Sequence, residues 1–105
     1  MTLMDGWIEI SEPGTVLLLR ICGDLDLASR DRIERTVLAA VVSTSAVTLD
    51  LARVTLCDSQ GVAMLVAAHE KATAEGTTLT IRNAQPNVQR VFEISGLAIP
   101  IDTTG

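Results

Sequence analysis

The chain has 105 residues, which is enough for one domain with its own hydrophobic core. Hydrophobic residues make up 48% of it and charged residues 20%, a balance that excludes an intrinsically disordered chain. The net charge of −5 and the scarcity of aromatic residues exclude a nucleic-acid-binding protein, because an acidic surface repels phosphates and bases stack on aromatic rings.

The sequence predicts a cytoplasmic protein with no membrane insertion. No apolar run reaches the ~18–20 residues that span a bilayer, and the N-terminus does not have the pattern of a signal peptide. The two cysteines, Cys22 and Cys57, are too few for a disulfide framework or a zinc site. We therefore expect free thiols in a reducing compartment, without a metal or cofactor.

The first half of the chain predicts two strands and a helix. Residues 6–10 and 15–23 have strand character and flank the turn-forming residues 11–14, so an antiparallel hairpin is expected. From Ser29, a good N-cap, the apolar spacing becomes helical. The residues of that apolar stripe are Ile33, Val37, Leu38 and Val41.

The second half alternates strands with helices. Residues 47–55 form the next strand, a helix runs from Ser59 to a stop at Gly76, and residues 77–82 return to strand character. The predicted apolar face of that helix contains Val62, Leu65, Val66 and His69. A third helix begins at Pro86 and stops at Gly96, and residues 97–101 form a last strand at a sheet edge, where Pro100 is tolerated.

The order β-β-α-β-α-β-α-β defines the predicted fold class. A helix between consecutive strands implies parallel pairing with right-handed crossovers. We therefore predict an α/β fold, with a mixed, mostly parallel sheet against which the helices pack, in a single domain of residues 1–105.

The sequence contains few of the residue patterns that catalytic sites require. The single histidine, His69, is ten residues from Ser59, about 15 Å along a helix, which is too far for a catalytic hydrogen bond. Phosphate-cradling glycine motifs and metal-ligand clusters are missing, and the pair Asp24 and Asp26 is a weak metal candidate. We therefore expect a protein that is not an enzyme.

Two interpretations of Ser59 remain open from local physics. As the residue between a strand and a helix it is a good N-cap. The same position exposes its hydroxyl at the C-terminal end of a parallel strand, where a phosphoryl group would meet free N–H groups at the helix start. Gly61, without a side chain, would let a partner approach closely.

The whole pattern resembles the STAS domain of bacterial anti-sigma factor antagonists, from about residue 7 to residue 101. The resemblance rests on "GDLDLAS" and on "VTLDLARVTLCDSQGVAMLVAAHEKATAEGTTLTIRNAQPNVQRVFEISGL". It implies that the partner, an anti-sigma factor serine kinase, phosphorylates Ser59. The unphosphorylated antagonist would bind that kinase and free a sigma factor, and phosphorylation would release it.

The same match implies a partner-binding face around the serine. Asp26 matches the family's loop aspartate near the phosphorylated serine, and Asp58 matches the aspartate directly before that serine. Asp24 stands where glutamate is usual. The expected partner-binding residues are Asp24, Asp26, Asp58, Ser59, Gln60 and Gly61. Gln60 is bulkier than the small residues usual there. The family's further C-terminal helix is missing from this sequence, which predicts apolar surface available for a homodimer or a partner.

Two alternatives of other classes accompany this interpretation. STAS domains also serve as accessory subunits of transporters, including lipid-trafficking ATP-binding-cassette complexes, where the domain would dock on an ATPase without phosphorylation. A redox-responsive regulator would instead use Cys22 and Cys57, which neighbouring parallel strands could bring together.

Overall fold

The computed structural model of the chain describes residues 2–4, 8–11, 16–97, 99 and 101–102. These residues form one six-stranded sheet and three helices. The strands are β1 (Thr2–Met4), β2 (Ile8–Ser11), β3 (Leu17–Leu25), β4 (Ala46–Cys57), β5 (Thr78–Arg82) and β6 (Ile101–Asp102). The helices are α1 (Leu27–Ser43), α2 (Ser59–Glu75) and α3 (Pro86–Ser95).

The sheet has the order β1-β2-β3-β4-β5-β6, and the predicted α/β class is confirmed. β2 pairs antiparallel with β3, as the hairpin prediction required, and β3 through β6 pair in parallel. β6 lies at the edge, as expected for the last strand, but it spans Ile101–Asp102 rather than residues 97–101, since Leu97 and Ile99 are not in a strand. Pro100 and turn residues 12–14 fall outside the described residues. β1, which pairs antiparallel with β2, was not predicted, because a three-residue strand is too short to show a period.

The ends of the helices follow the local chemistry of their caps. Gly76 and Gly96 adopt left-handed conformations at the ends of α2 and α3, with φ of 71° and 69°, as predicted. Pro86 begins α3. The N-cap of α1 is Asp26 rather than the predicted Ser29, which is instead the third helical residue and completes a capping box.

One cluster of buried side chains joins the three helices to the sheet. The predicted stripe of α1 is confirmed, since Ile33, Val37 and Val41 are fully buried. The predicted face of α2 is rotated, because Val66 is 39% exposed while the buried residues include two alanines. The buried residues of α2 are Gly61, Met64, Leu65, Ala68 and Ala72.

Residues that pair across the three central strands form rows of similar character. Leu19, Leu49 and Ile81 form a buried row across β3, β4 and β5, and the next row is Arg20, Asp50 and Arg82. The Asp50 side chain is only 6% exposed and lies 3.6 Å from Arg20 Nε. This ion pair is therefore part of the packed sheet rather than of the solvated surface.

The register between β3 and β4 shifts twice before the two strands end. Arg20 pairs with Asp50 but Cys22 pairs with Arg53, so β4 carries an extra residue, and a second shift follows Gly23. Asp50 Oδ1 accepts a hydrogen bond from the Ala52 N–H (2.9 Å) at the first shift. Irregularities of this kind bend a strand and redirect the chain beyond it, here the loop into α2.

No helix within the described ranges is long and apolar enough to cross a membrane.

Candidate partner-binding site

The junctions β3–α1 and β4–α2 lie side by side at one edge of the sheet. Leu25 and Cys57 are Cα partners in the parallel pair, and the Asp58 N–H donates to the Leu25 carbonyl oxygen at 3.1 Å. Each junction supplies the next residue, Asp26 or Asp58, as the N-cap of a helix. The structure thus brings together the two segments in which the sequence predicted site residues.

Asp58, and not Ser59, caps α2. Its Oδ1 atom accepts hydrogen bonds from the backbone N–H groups of Gln60 (2.8 Å) and Gly61 (3.2 Å). Ser59 is the first helical residue, is exposed, and its hydroxyl makes no hydrogen bond to another described residue. The N-cap interpretation of Ser59 is therefore wrong, and its hydroxyl has no structural partner within the described part of the chain.

The start of α2 already holds a carboxylate. The N–H groups of Gln60 and Gly61 are the donors that an anion at a helix N-terminus would use, and both donate to Asp58. A phosphoryl group on Ser59 would therefore not find these donors free, contrary to the sequence-based expectation, and it would lie beside a like charge.

Asp26 and Asp24 are engaged within the chain. Asp26 Oδ1 accepts from the Ser29 N–H (3.1 Å), while the Ser29 hydroxyl accepts from the Asp26 N–H (3.2 Å) and donates to the Asp24 carbonyl oxygen (2.6 Å). The Asp24 carboxylate accepts from the hydroxyl of Thr55, which lies at the second register shift (2.8 Å). Both aspartates shape the junctions, and their part in partner binding stays a prediction.

Gly61 is buried, and its missing side chain serves packing within the chain. A Cβ atom there would lie 2.7 Å from Cys57 Sγ and from the Leu25 carbonyl oxygen, and 2.8 Å from Leu25 Cβ. These distances are too short for real contacts, so only glycine lets α2 start this close to β3. Packing within the chain therefore accounts for a glycine at this position, and the expectation that Gly61 also lets a partner approach closely stays a prediction.

Gln60 is held by α1. Its Oε1 atom accepts a hydrogen bond from Arg30 Nη1 at 2.9 Å, and Arg30 Nε lies 3.4 Å from Glu34 Oε1. Sequence reasoning singled out Gln60 but missed Arg30, because the two residues are 30 positions apart and no local pattern links them.

Two solvent-exposed apolar side chains flank the two strand-to-helix junctions. Leu27, the first residue of α1, is 72% exposed, and Leu56, just before Cys57, is 48% exposed. Sequence reasoning missed both, since each falls where an apolar residue of a strand or helix is expected to be buried.

The cysteines lie apart in the sheet. Cys22 pairs with Arg53, which is four residues before Cys57, about 13 Å along an extended strand. A disulfide needs Cα atoms within about 7 Å, so the register separates the two thiols too far for a bond within the chain. Burial, with a smaller contribution from the Asp58 charge, raises the pKa of Cys57 to about 11, which keeps the thiol protonated and unreactive. These observations weigh against the redox alternative.

No group of three or more potential metal ligands occurs among the residues that the structure describes.

Fold and site together define a small α/β domain with an exposed serine at the start of a helix that comes directly after a parallel strand. The sequence matches the family described as "Mlab, STAS domain" over residues 8–101, which is most of the chain. The chain therefore belongs to the STAS domain family.

Several solved structures with the same fold are described as anti-sigma factor antagonists. An anti-sigma factor antagonist from Mycobacterium paratuberculosis superposes with a TM-score of 0.81 at 24% identity, over 99% of this chain and 86% of its own. A candidate antagonist from Thermotoga maritima gives 0.82 at 18% identity, over 90% and 86%.

Two structures of SpoIIAA also match. The anti-sigma factor antagonist SpoIIAA in its unphosphorylated form gives a TM-score of 0.76, and the phosphorylated form, described as a Bacillus cell fate determinant, gives 0.70. Identity is 20% in both cases, over 92% of this chain and 89% or 92% of SpoIIAA. At these identities the likenesses show the fold.

Proposed function

We propose that this chain is a single-domain anti-sigma factor antagonist whose unphosphorylated form binds an anti-sigma factor serine kinase and thereby frees a sigma factor. Phosphorylation of Ser59 by that kinase ends the interaction. The domain acts in the cytoplasm as a regulator rather than as an enzyme, and its partner-binding face comprises Asp24, Asp26, Asp58, Ser59, Gln60 and Gly61.

The exposed Ser59 hydroxyl carries this proposal. It lies at the start of α2, free of hydrogen bonds to described residues, because Asp58 has taken the capping role. Because this hydroxyl makes no hydrogen bond to the described residues, it can accept a phosphate without a hydrogen bond between those residues being broken. SpoIIAA, which shares the fold, exists in phosphorylated and unphosphorylated forms, which supports the same use here.

The proposed switch is electrostatic. A phosphate on Ser59 adds about −1.5 to −2 charge at neutral pH, next to the Asp58 carboxylate that already caps the helix. Burying that dianion against a surface shaped for a hydroxyl costs several kcal/mol through desolvation and like-charge contact. Since each 1.4 kcal/mol is tenfold in affinity, we expect the partner to bind at least about 100-fold more weakly.

Exposed apolar residues add to the face. Leu27 and Leu56 flank the two junctions and would be covered by a partner that docks over Ser59. Large apolar side chains at the centre of a contact supply much of its affinity, whereas charges at its rim set orientation and association rate. The proposed partner surface is therefore apolar at its centre and able to accept several carboxylates around it.

The test uses the serine-kinase anti-sigma factors of the chain's own host, each purified and incubated with the chain and ATP. Intact mass should show one added phosphate on the wild type and none on Ser59→Ala. In binding assays Ser59→Ala should stay bound in the presence of ATP and Ser59→Glu should bind poorly. Ser95→Glu, a charge added at an exposed serine of α3, is the matched control and should bind like the wild type.

Equal binding by Ser59→Ala and Ser59→Glu would refute the proposal. A wild-type chain that gains no phosphate from any of these kinases, but copurifies with a transporter ATPase, would establish the accessory-subunit alternative instead.

A further inference from the structure

A side-chain array links α1 to the residue directly after Ser59. Arg30 donates from Nη1 to Gln60 Oε1 (2.9 Å), while its Nε and Nη2 atoms both lie 3.4 Å from Glu34 Oε1. The guanidinium group is thus fixed on one side by a carboxylate of its own helix. Its other side holds the amide of Gln60, the second residue of α2.

The array determines where the Gln60 side chain lies. Glutamine has three side-chain torsions, and at the exposed start of a helix it samples several rotamers unless a contact selects one. The hydrogen bond to Arg30 selects the rotamer directed at α1. Ser59 precedes Gln60 directly, and its exposed hydroxyl has no contact of its own to protect it from a neighbouring side chain.

We propose that Arg30 is a positioning residue that holds Gln60 against α1 and so keeps the Ser59 hydroxyl accessible. Without Arg30 the released glutamine amide covers the hydroxyl for part of the time and occupies the space that an approaching reagent or protein needs. The consequence for a kinase rests on the proposed function, whereas the consequence for access to position 59 does not.

A competing explanation is direct electrostatics. Arg30 is a cation close to the site, so its removal changes the local potential whether or not Gln60 moves. A double-mutant cycle separates the two effects, because an effect transmitted through Gln60 disappears when Gln60 is truncated, and an effect of charge does not.

The first experiment measures access without any partner. In the full chain with Cys22→Ala, the variant Ser59→Cys places a thiol at the site, and Cys57 stays unreactive because it is buried. The rate of alkylation by iodoacetamide is measured with Arg30 or Ala at position 30 and with Gln or Ala at position 60. Arg35→Ala, which removes an exposed cation from the same helix, is the control for charge.

We expect Arg30→Ala to slow alkylation about three- to tenfold when Gln60 is present and to leave the rate unchanged when Gln60 is replaced by alanine, in the range of couplings measured for contacting residues. Glu34→Ala, which loosens the guanidinium, should slow it less. Equal slowing in both backgrounds, a comparable effect of Arg35→Ala, or no slowing at all would each overturn the proposal.

The second experiment repeats the cycle with Ser59 intact and the kinase that phosphorylates the wild type. The initial rate of phosphorylation should fall about three- to tenfold in Arg30→Ala and recover in the double variant with Gln60→Ala. If no kinase modifies the wild type, the proposed function fails, and the alkylation cycle still decides the role of Arg30.

Discussion

Because Asp58 rather than Ser59 caps α2, substitutions at these two adjacent residues should differ in their effect on the stability of the chain. Asp58→Ala removes the acceptor of two backbone N–H groups, at 2.8 and 3.2 Å, together with a negative charge at the positive end of the helix. Loss of an N-cap costs about 0.5–2 kcal/mol, and loss of the favourable charge about 0.3–1 kcal/mol. Because Asp58 is exposed and partly screened, we expect a total of about 1–2 kcal/mol.

Ser59→Ala should change stability by less than about 0.5 kcal/mol, because the lost hydroxyl has no partner among the described residues and alanine is a good helix former. The free energy of unfolding, measured by urea denaturation with far-UV circular dichroism, distinguishes the two variants. For a domain of this size, Asp58→Ala should lower Tm by roughly 5–10 °C. Asp58→Asn keeps an acceptor and should fall between the two.

The control is Asp31→Ala, an exposed aspartate of α1 that caps nothing, which should be nearly neutral. If Ser59→Ala destabilises the chain as much as Asp58→Ala does, the serine is the cap after all. Its hydroxyl would then be engaged in the fold, and the proposal that it is free for phosphorylation would lose its main support.

Three further predictions concern the packing around the site. Gly61→Ala should destabilise by about 1–3 kcal/mol in urea unfolding although alanine favours helices, because its Cβ would meet Leu25 and Cys57; a neutral effect would contradict the packing. Asp50→Ala should lower the free energy of unfolding by about 1–3 kcal/mol, since it removes the acceptor of the Ala52 N–H and one ion pair of Arg20, whose side chain is 32% exposed. Asp50→Asn, which keeps an acceptor for Ala52 N–H, should cost less, and equal losses would contradict this. The pKa of Cys57 is raised from 9.0 to about 11, so the folded state holds this proton more tightly than the unfolded state does. The free energy of unfolding should therefore be independent of the thiol below about pH 9 and should fall by about 2–3 kcal/mol by about pH 11. Cys57→Ala should lack this loss when unfolding is measured over the same pH range.

The parts of the fold that were predictable are those in which one residue type is required by the backbone. Gly76 and Gly96 end helices with positive φ, and Pro86 begins one, so these boundaries are evident from the residues themselves. The parallel pairing could be inferred from a helix between two strands, β3 and β4.

The errors fall where two neighbouring residues satisfy the same local rule. Aspartate and serine are equally good N-caps, so the choice between Asp26 and Ser29, and between Asp58 and Ser59, depends on where the strand ends. β3 and β4 remain paired up to Leu25 and Cys57, which makes the next residue the cap. That length is set by tertiary pairing and by two register shifts, neither of which has a local sequence signal.

The strand-to-helix loop of the candidate site could be located from the sequence, whereas its side-chain contacts could not. The loop around Ser59 was found from the order of its motifs. The contact between Arg30 and Gln60 could not be, because long-range side-chain pairs depend on how two helices pack.

The row of charges across the sheet also restricts how the chain can fold. A strand that slips by one residue turns its apolar side chains outward, so hydrophobic alternation alone excludes that error. A slip by two residues preserves the alternation and is not excluded in this way. It would, however, place Asp50 opposite Leu18 or Cys22 instead of Arg20, so the largely buried carboxylate would lose one of the two arginines that lie beside it in the sheet. The Arg20–Asp50 pair therefore favours the native register of β3 and β4 over slipped pairings that the apolar core would tolerate.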